Sequence, residues 1–150
     1  MTEQQQKIEI FAQLVESDQI ESLHRRNLAC QGNLDGVKTR IKPGKKYTKV
    51  DVGHSGKYMI EHDTGDIYGI KAYGVIHRGH HYGNLDTIND YYWGEYQGIK
   101  KTLICLEAVK QSGNILPYVK DQTTEVCLAA VKQIVKTQTA EICLEAVKKL

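Results

Sequence analysis

The side chains best suited to chemistry crowd into GIKAYGVIHRGHHYGNLDTI, residues 69–88, which holds four glycines, three histidines and two tyrosines. His77, His80 and His81 lie close together, with His54 and His62 not far upstream. Neutral imidazole is a good metal ligand, and a catalytic zinc needs three protein ligands and an open position. Asp63, Asp66 or Asp86 could complete such a set, which would define a metal-dependent hydrolase. The spacing HRGHH matches no recognised metal signature, however, and adjacent histidines on a strand point to opposite faces. Gly79 marks a turn, so the favoured expectation is an exposed loop with no cofactor, and the hydrolase ranks third among the functional readings. Phosphate-binding glycine loops are missing: GHSG (53–56) is no nucleophile elbow, and GIKAYG (69–74) lacks the lysine-serine end of a P-loop.

Four cysteines, Cys30, Cys105, Cys127 and Cys143, include no CxxC pair. The last three recur at equivalent places in a repeated phrase, where cysteine is expected to act as a small buried hydrophobe rather than a redox or metal group.

Two charged stretches suggest binding. KTRIKPGKKYTK (38–49) carries Lys38, Arg40, Lys42, Lys45, Lys46 and Lys49 with no acid, and Tyr47 follows Lys46. A basic loop with an aromatic can track a phosphate backbone and stack a base, although a solvated loop is the plainer reading. NLDTINDYYWGEY (84–96) is the opposite, with Asp86, Asp90 and Glu95 set among Tyr91, Tyr92, Trp93 and Tyr96. Aromatics in an acidic setting suit a protein interface facing a basic partner, with Tyr73 on the sheet contributing; the plainer alternative packs Trp93 into the core.

Three blocks must position these residues. Residues 5–30 read as a helix, with Ile8, Phe11, Leu14 and Val15 at three- and four-residue spacing, then Ile20, Leu23 and Leu28. Ser17-Asp18 could start a second helix. This helix packs on the sheet or serves as a dimerisation or partner-binding element. Residues 46–98 read as an antiparallel sheet of three or more strands. YTKVDVG (47–53) alternates, with Thr48, Val50 and Val52 on one face; GKYMIEH (56–62) puts Tyr58 with Ile60; DIYGIKAYGVI (66–76) aligns Tyr68, Ile70, Ala72 and Ile76. HDTGD (62–66) supplies a tight hairpin with Gly65 at a positive φ. Residues 101–150 repeat one phrase, as TLICLEAVKQ, TEVCLAAVKQ and AEICLEAVKK. Removing SGNILP (112–117) brings YVKDQT (118–123) over IVKTQT (134–139). Three short helices are expected, capped by Thr123 and Thr139, with Leu103, Leu106, Val109, Val126, Val131, Ile142 and Val147 as apolar stripes that must stack. Because the second unit lacks the turn segment, an unpaired face should remain, and the tail or the N-terminal helix is expected to form a twofold dimer.

The three phrases and YVKDQT resemble a helical repeat family of unknown function from giant viruses and amoeba-associated bacteria. That family has no established activity, so the likeness implies a stacked-helix fold alone. The stretch KYTKVDVGHSGKYMIEHDTGDIYGIKAYGVIHRGHHYGNLDTINDYYWGEY (46–96) resembles small uncharacterised accessory proteins of phages and plasmids. This second likeness implies a mobile-element protein of the counter-defence type, such as an inhibitor of a defence nuclease or CRISPR effector.

Composition bounds the rest. Tyrosine outnumbers phenylalanine nine to one, hydrophobic content is 41%, and the net charge of +2 singles out no polyanionic partner. MTEQQQKIEIFAQLVES carries acidic and glutamine residues where a secretory signal has basic and then apolar ones, and no run reaches the ~18 apolar residues of a membrane span. The expectation is an α+β cytoplasmic protein that is not an enzyme. It binds a host protein complex, with nucleic acid as the alternative partner and no membrane.

Overall fold

The computed structural model describes residues 1–119 and 122–148, without the side chains of 115 and 141–148. It divides into two units, Met1–Ile99 and Lys100–Leu150.

The first unit opens with helix α1 (Glu3–Arg25). Thr2 starts it with a capping box: the Gln5 amide donates to Thr2 Oγ1 at 3.3 Å, and the Thr2 amide donates to Gln5 Oε1 at 2.8 Å. The helix runs straight through Ser17-Asp18, where a second start was expected. Asp18 does not cap here; its carboxylate accepts the Trp93 amide at 2.8 Å. The end comes at Asn27, which takes φ 56°. The Leu28 amide donates to Leu23 O at 2.8 Å and the Asn27 amide to His24 O at 3.0 Å, the two bonds of a Schellman stop. Leu28 therefore lies beyond the stripe and is exposed, while Ile8, Phe11, Ala12, Val15 and Leu23 are buried. The apolar stripe of α1 is thus used on the sheet, while Ile10 on the same helix remains exposed. A short helix α2 (Gln31–Gly36) follows.

Five antiparallel strands then pair in chain order: β1 (Thr39–Lys42), β2 (Tyr47–Val52), β3 (Ser55–Glu61), β4 (Asp66–Ala72) and β5 (Val75–Asn84). The expected basic loop 38–49 is instead the β1–β2 hairpin, and the sheet begins at Thr39 rather than near 46. Lysine and arginine on an edge strand discourage further strand pairing, so a basic sequence is compatible with this position. The expected turn at HDTGD forms, with Gly65 at φ +73°.

One face of the sheet packs on α1. Val50, Val52, Tyr58, Ile60, Ile67 and Tyr82 join Ile8, Phe11 and Val15 in a single core, and Thr48 is buried beside them. Each large apolar side chain withdrawn there contributes about 1.5–3 kcal/mol. On β4 Tyr68, Ile70 and Ala72 share one face as expected, but it is the outer one: the buried positions are Ile67 and Gly69, whereas Tyr68 and Ile70 stay half-exposed. A Cβ at Gly69 would come 3.1 Å from the His80 Cβ, so glycine marks the close approach there.

The expected loop around Gly79 is also overturned, because His77, His80 and His81 lie inside β5. Pairing passes from Gly69↔His77 to Tyr68↔His81, so Arg78-Gly79-His80 form a wide irregularity in the strand. The chain then continues through a helical turn at Ile88–Asp90 to short strands β6 (Tyr91–Tyr92) and β7 (Ile99–Lys100).

The second unit contains α3 (Lys101–Gln111), a 3-10 stretch over Gly113–Tyr118, and α4 (Thr124–Lys148). Thr123 caps α4 by accepting the Val126 amide at 3.3 Å. Thr139 does not cap a third helix. It lies within α4, its hydroxyl donating to Val135 O at 2.8 Å. Without a counterpart of SGNILP nothing interrupts the chain, and the third phrase simply extends the helix of the second. The repeated phrase therefore yields one helical pair, not a series of repeats. Val109, Val126 and Ala130 form its core, with Cys105, Leu106 and Leu116 against them. Val131 and Leu103, expected in the stripe, are exposed. The expected burial of the repeat cysteines is only partial, since Cys105 and Cys127 are half-buried; Cys30, outside the repeats, is exposed. The side chains of Ile142, Cys143 and Val147 lie outside the described residues. No helix among the described residues is long and apolar enough to cross a membrane.

Candidate binding surface

Strand alternation gives the sheet a second face, turned away from α1. One row across it reads Lys42, Lys49, Met59, Tyr68, His81, in register from β1 to β5. Tyr47 pairs with Glu61 in a neighbouring row and donates its hydroxyl to Glu61 Oε1 at 3.2 Å. The bulged segment of β5 aims Arg78 back over this face. Its guanidinium lies 5.8 Å from the centre of the Tyr68 ring and donates to the Tyr47 hydroxyl at 3.1 Å.

Tyr73, at the β4–β5 turn, reaches across to the first two strands. Gly74 beside it takes φ +80°, which lets the turn close. The Tyr73 ring lies 4.6 Å from Lys49 Nζ and 5.3 Å from Lys42 Nζ. Gly56 leaves room for the ring, since a Cβ there would sit 3.1 Å from Tyr73 Cδ2. Beneath it Asp51 is buried, with Oδ2 accepting from Lys42 Nζ at 2.8 Å and Oδ1 unpartnered among the described residues. Hydrogen bonding to Asp51, then to Tyr73, raises the Lys42 ammonium above its ordinary pKa. The lysine therefore stays charged through the neutral range.

The basic residues of 38–49 are not all free charges. Lys38 pairs with Asp35 at 2.8 Å and Lys46 with Glu61 at 3.5 Å, while Lys46 also lies 5.5 Å from the Tyr47 ring. Arg40 occupies the register position opposite Asp51 and is exposed, as is Lys45.

The acidic aromatic segment 84–96 lies on the other side, against α1. Trp93 is fully buried among Phe11, Tyr58, Tyr82 and Tyr91, and its indole donates to Ile88 O at 2.9 Å. Tyr91 is also buried. Arg25 engages Tyr92 and Glu95, at 3.1 Å to the hydroxyl and 3.3 Å to the carboxylate. Asp86 pairs with Lys7 at 2.9 Å. Tyr96, 82% exposed with Lys57 Nζ 3.6 Å from its ring centre, is turned outward, as are Asp86 and Asp90. The residues grouped in sequence as one acidic interface thus separate: Tyr73 joins the basic hairpin, Asp86, Tyr92, Trp93 and Glu95 hold the segment to α1, and Tyr96 meets Lys57 of β3.

The histidines separate as well. His77 and His80 lie ring to ring, centroids 4.0 Å apart, with Gln97 bonded to His80 Nδ1 at 3.4 Å. His81 faces the other way, towards Tyr68 and Asp66. Among the described residues no three His, Cys, Asp or Glu side chains converge to hold a metal. His62 borders a groove of about 690 Å³ between the start of α1 and the β1–β2 hairpin. Its Nδ1 lies 3.2 Å from Lys45 O, which can only accept, so in the neutral ring Nε2 accepts from Thr48 Oγ1 at 2.8 Å. Both nitrogens are occupied in bracing the hairpin.

Tyr68 and Arg78 are the members of the outer face that sequence reading missed. The signal for Tyr68 was parity, since Tyr47, Lys49 and Tyr68 share one side of their strands, whereas Arg78 lies in the irregular segment of β5 where alternation breaks. No family model, curated protein or solved structure matches the chain.

Proposed function

We propose that the protein is a non-enzymatic binding protein of the phage or mobile-element type. It occupies a host nucleic-acid-processing or defence complex and blocks it sterically, in the host cytoplasm. The observation that carries this reading is the outer sheet face, where Tyr47, Tyr68 and Tyr73 are held by cations on a rigid scaffold. Fixed aromatic side chains give large contact area at small entropic cost, which is what an interface anchor needs. The nature of the partner rests on the likeness of residues 46–96 to phage and plasmid accessory proteins. The α3–α4 pair, with Leu103, Leu128, Val131 and Val135 each more than half exposed, is proposed to join two copies of the chain.

The test is capture of complexes from host lysate on immobilised protein, with nuclease-treated and untreated arms, followed by assay of the captured enzyme with and without the protein. Inhibition by wild type that is lost in Tyr73→Ala supports the reading. Inhibition unchanged by Tyr73→Ala and Tyr47→Ala, or no effect on any captured activity, removes it.

A further inference from the structure

We infer that the outer face of the sheet binds single-stranded nucleic acid, stacking bases on Tyr68 and Tyr73 while the surrounding cations contact phosphates. The inference rests on the proposal that this face is the working surface, and it names the chemistry recognised there.

The charge balance favours a polyanion. Arg40, Lys42, Lys46, Lys49 and Arg78 stand against Asp51, Glu61 and Asp66 on this face. Asp51 is buried at 2% exposure and already paired with Lys42, so it repels little from solvent. Lys49 and Arg78 have tyrosine rings rather than carboxylates as the partners described above, leaving their charge for an incoming anion. Asp86 and Glu95 are paired with Lys7 and Arg25 of α1 and do not oppose it.

The aromatics favour a single strand. A π face can stack only on a base that is not already stacked in a duplex, and Tyr73 offers its ring at 58% exposure. Tyr68 lies within cation–π reach of Arg78, so an aromatic and a guanidinium are presented together, a pairing that accepts any base. Recognition by this face is therefore indifferent to sequence. It is also dependent on salt, because phosphate contacts release counterions.

The test uses the full chain and labelled oligo-dT and oligo-U of about twenty nucleotides, with a duplex of equal length as comparison, read by fluorescence anisotropy at several salt concentrations. Both single strands, or one of them, should bind more tightly than the duplex, and the two arms tell DNA from RNA. Tyr73→Ala and Tyr68→Ala should each weaken binding by roughly tenfold, and the corresponding Phe variants should retain it. Lys49→Gln should flatten the salt dependence by about one phosphate contact. Circular dichroism of each variant confirms the fold. No binding at low salt overturns the inference, as does equal affinity for duplex, or Tyr→Ala variants that fold and bind like wild type. If wild type binds no oligonucleotide yet Tyr73→Ala abolishes inhibition of a captured enzyme, the inference fails and the working-surface proposal survives. If the oligonucleotides bind through these tyrosines but no complex is inhibited, the inference stands and the inhibitor proposal fails.

Discussion

The Tyr73 hydroxyl donates to Asp51 Oδ2 across 3.4 Å, although 22 residues separate them in the chain. The same hydroxyl accepts from Lys42 Nζ at 2.8 Å, so one carboxylate, one phenol and one ammonium tie the β4–β5 turn to the far side of the sheet. Asp51 is the buried member and Lys42 the half-exposed one.

This asymmetry predicts an unequal response to substitution. Lys42→Met leaves a buried carboxylate without its cation and lowers the urea midpoint. Asp51→Asn in the same chain recovers most of the loss, since no isolated charge is then buried. A Lys42→Met protein as stable as wild type would show that the pair contributes nothing.

Trp93 is the only tryptophan, and it is fully buried. Its fluorescence should be blue-shifted in the folded protein and move red only on unfolding. Trp93→Ala should cost about 3–5 kcal/mol in denaturant titrations, and Trp93→Phe less. A wild-type spectrum typical of indole in water would contradict the packing.

Alkaline pH should destabilise the first unit. Burial pushes the hydroxyls of Tyr58, Tyr82 and Tyr91 above the ordinary tyrosine value, most strongly for Tyr58. Below pH ~10 both folded and unfolded chains keep these protons; above it the unfolded chain releases them first, so stability falls as pH rises. Absorbance at 295 nm should show exposed tyrosines ionising near pH ~10 and a later step that coincides with loss of the circular dichroism signal. A single smooth titration with the fold intact would refute this.

Asn27 supplies the left-handed residue that ends α1. Asn27→Gly should be neutral or slightly stabilising, whereas Asn27→Val should cost about 1–2 kcal/mol. Thermal melts of the two variants decide it, and equal melting temperatures would count against the stop.

Self-association of the α3–α4 pair is checked by light scattering on the full chain. A dimer is expected, with Leu128→Lys and Val135→Lys shifting it to monomer. A wild-type monomer at high concentration would defeat the proposal.

Much of this architecture was legible from local pattern. The alternation in β2 and the turn at Gly65 followed from period and turn chemistry. Where reading failed, the deciding residue was not the one the pattern advertised. Gly69 holds a buried position with no side chain, so the larger Tyr68 and Ile70 mark the outer face of β4 rather than the core one. The Arg78-Gly79-His80 irregularity resembles a turn until the pairing on either side of it is known. Thr139 and Thr123 stand in similar local sequence, and only the missing SGNILP segment tells a cap from a helix interior. The candidate surface was half visible: Lys42, Tyr47 and Lys49 were singled out, but Tyr73 was grouped with acidic residues that lie against α1. No short-range signal assigns a hairpin tip to the far side of its own sheet.

Because the strands pair in chain order, the sheet can assemble progressively as the polypeptide leaves the ribosome. Helix α1 is made before the sheet, yet Phe11 finds Tyr58 only after some forty-seven more residues and Trp93 after eighty-two. Until then the nascent helix carries a bare oily stripe, a ready substrate for chaperones. Arrival of Trp93 is the late event that seals it, so a chain released before residue 93 would carry the sequence of all five strands yet have an open core.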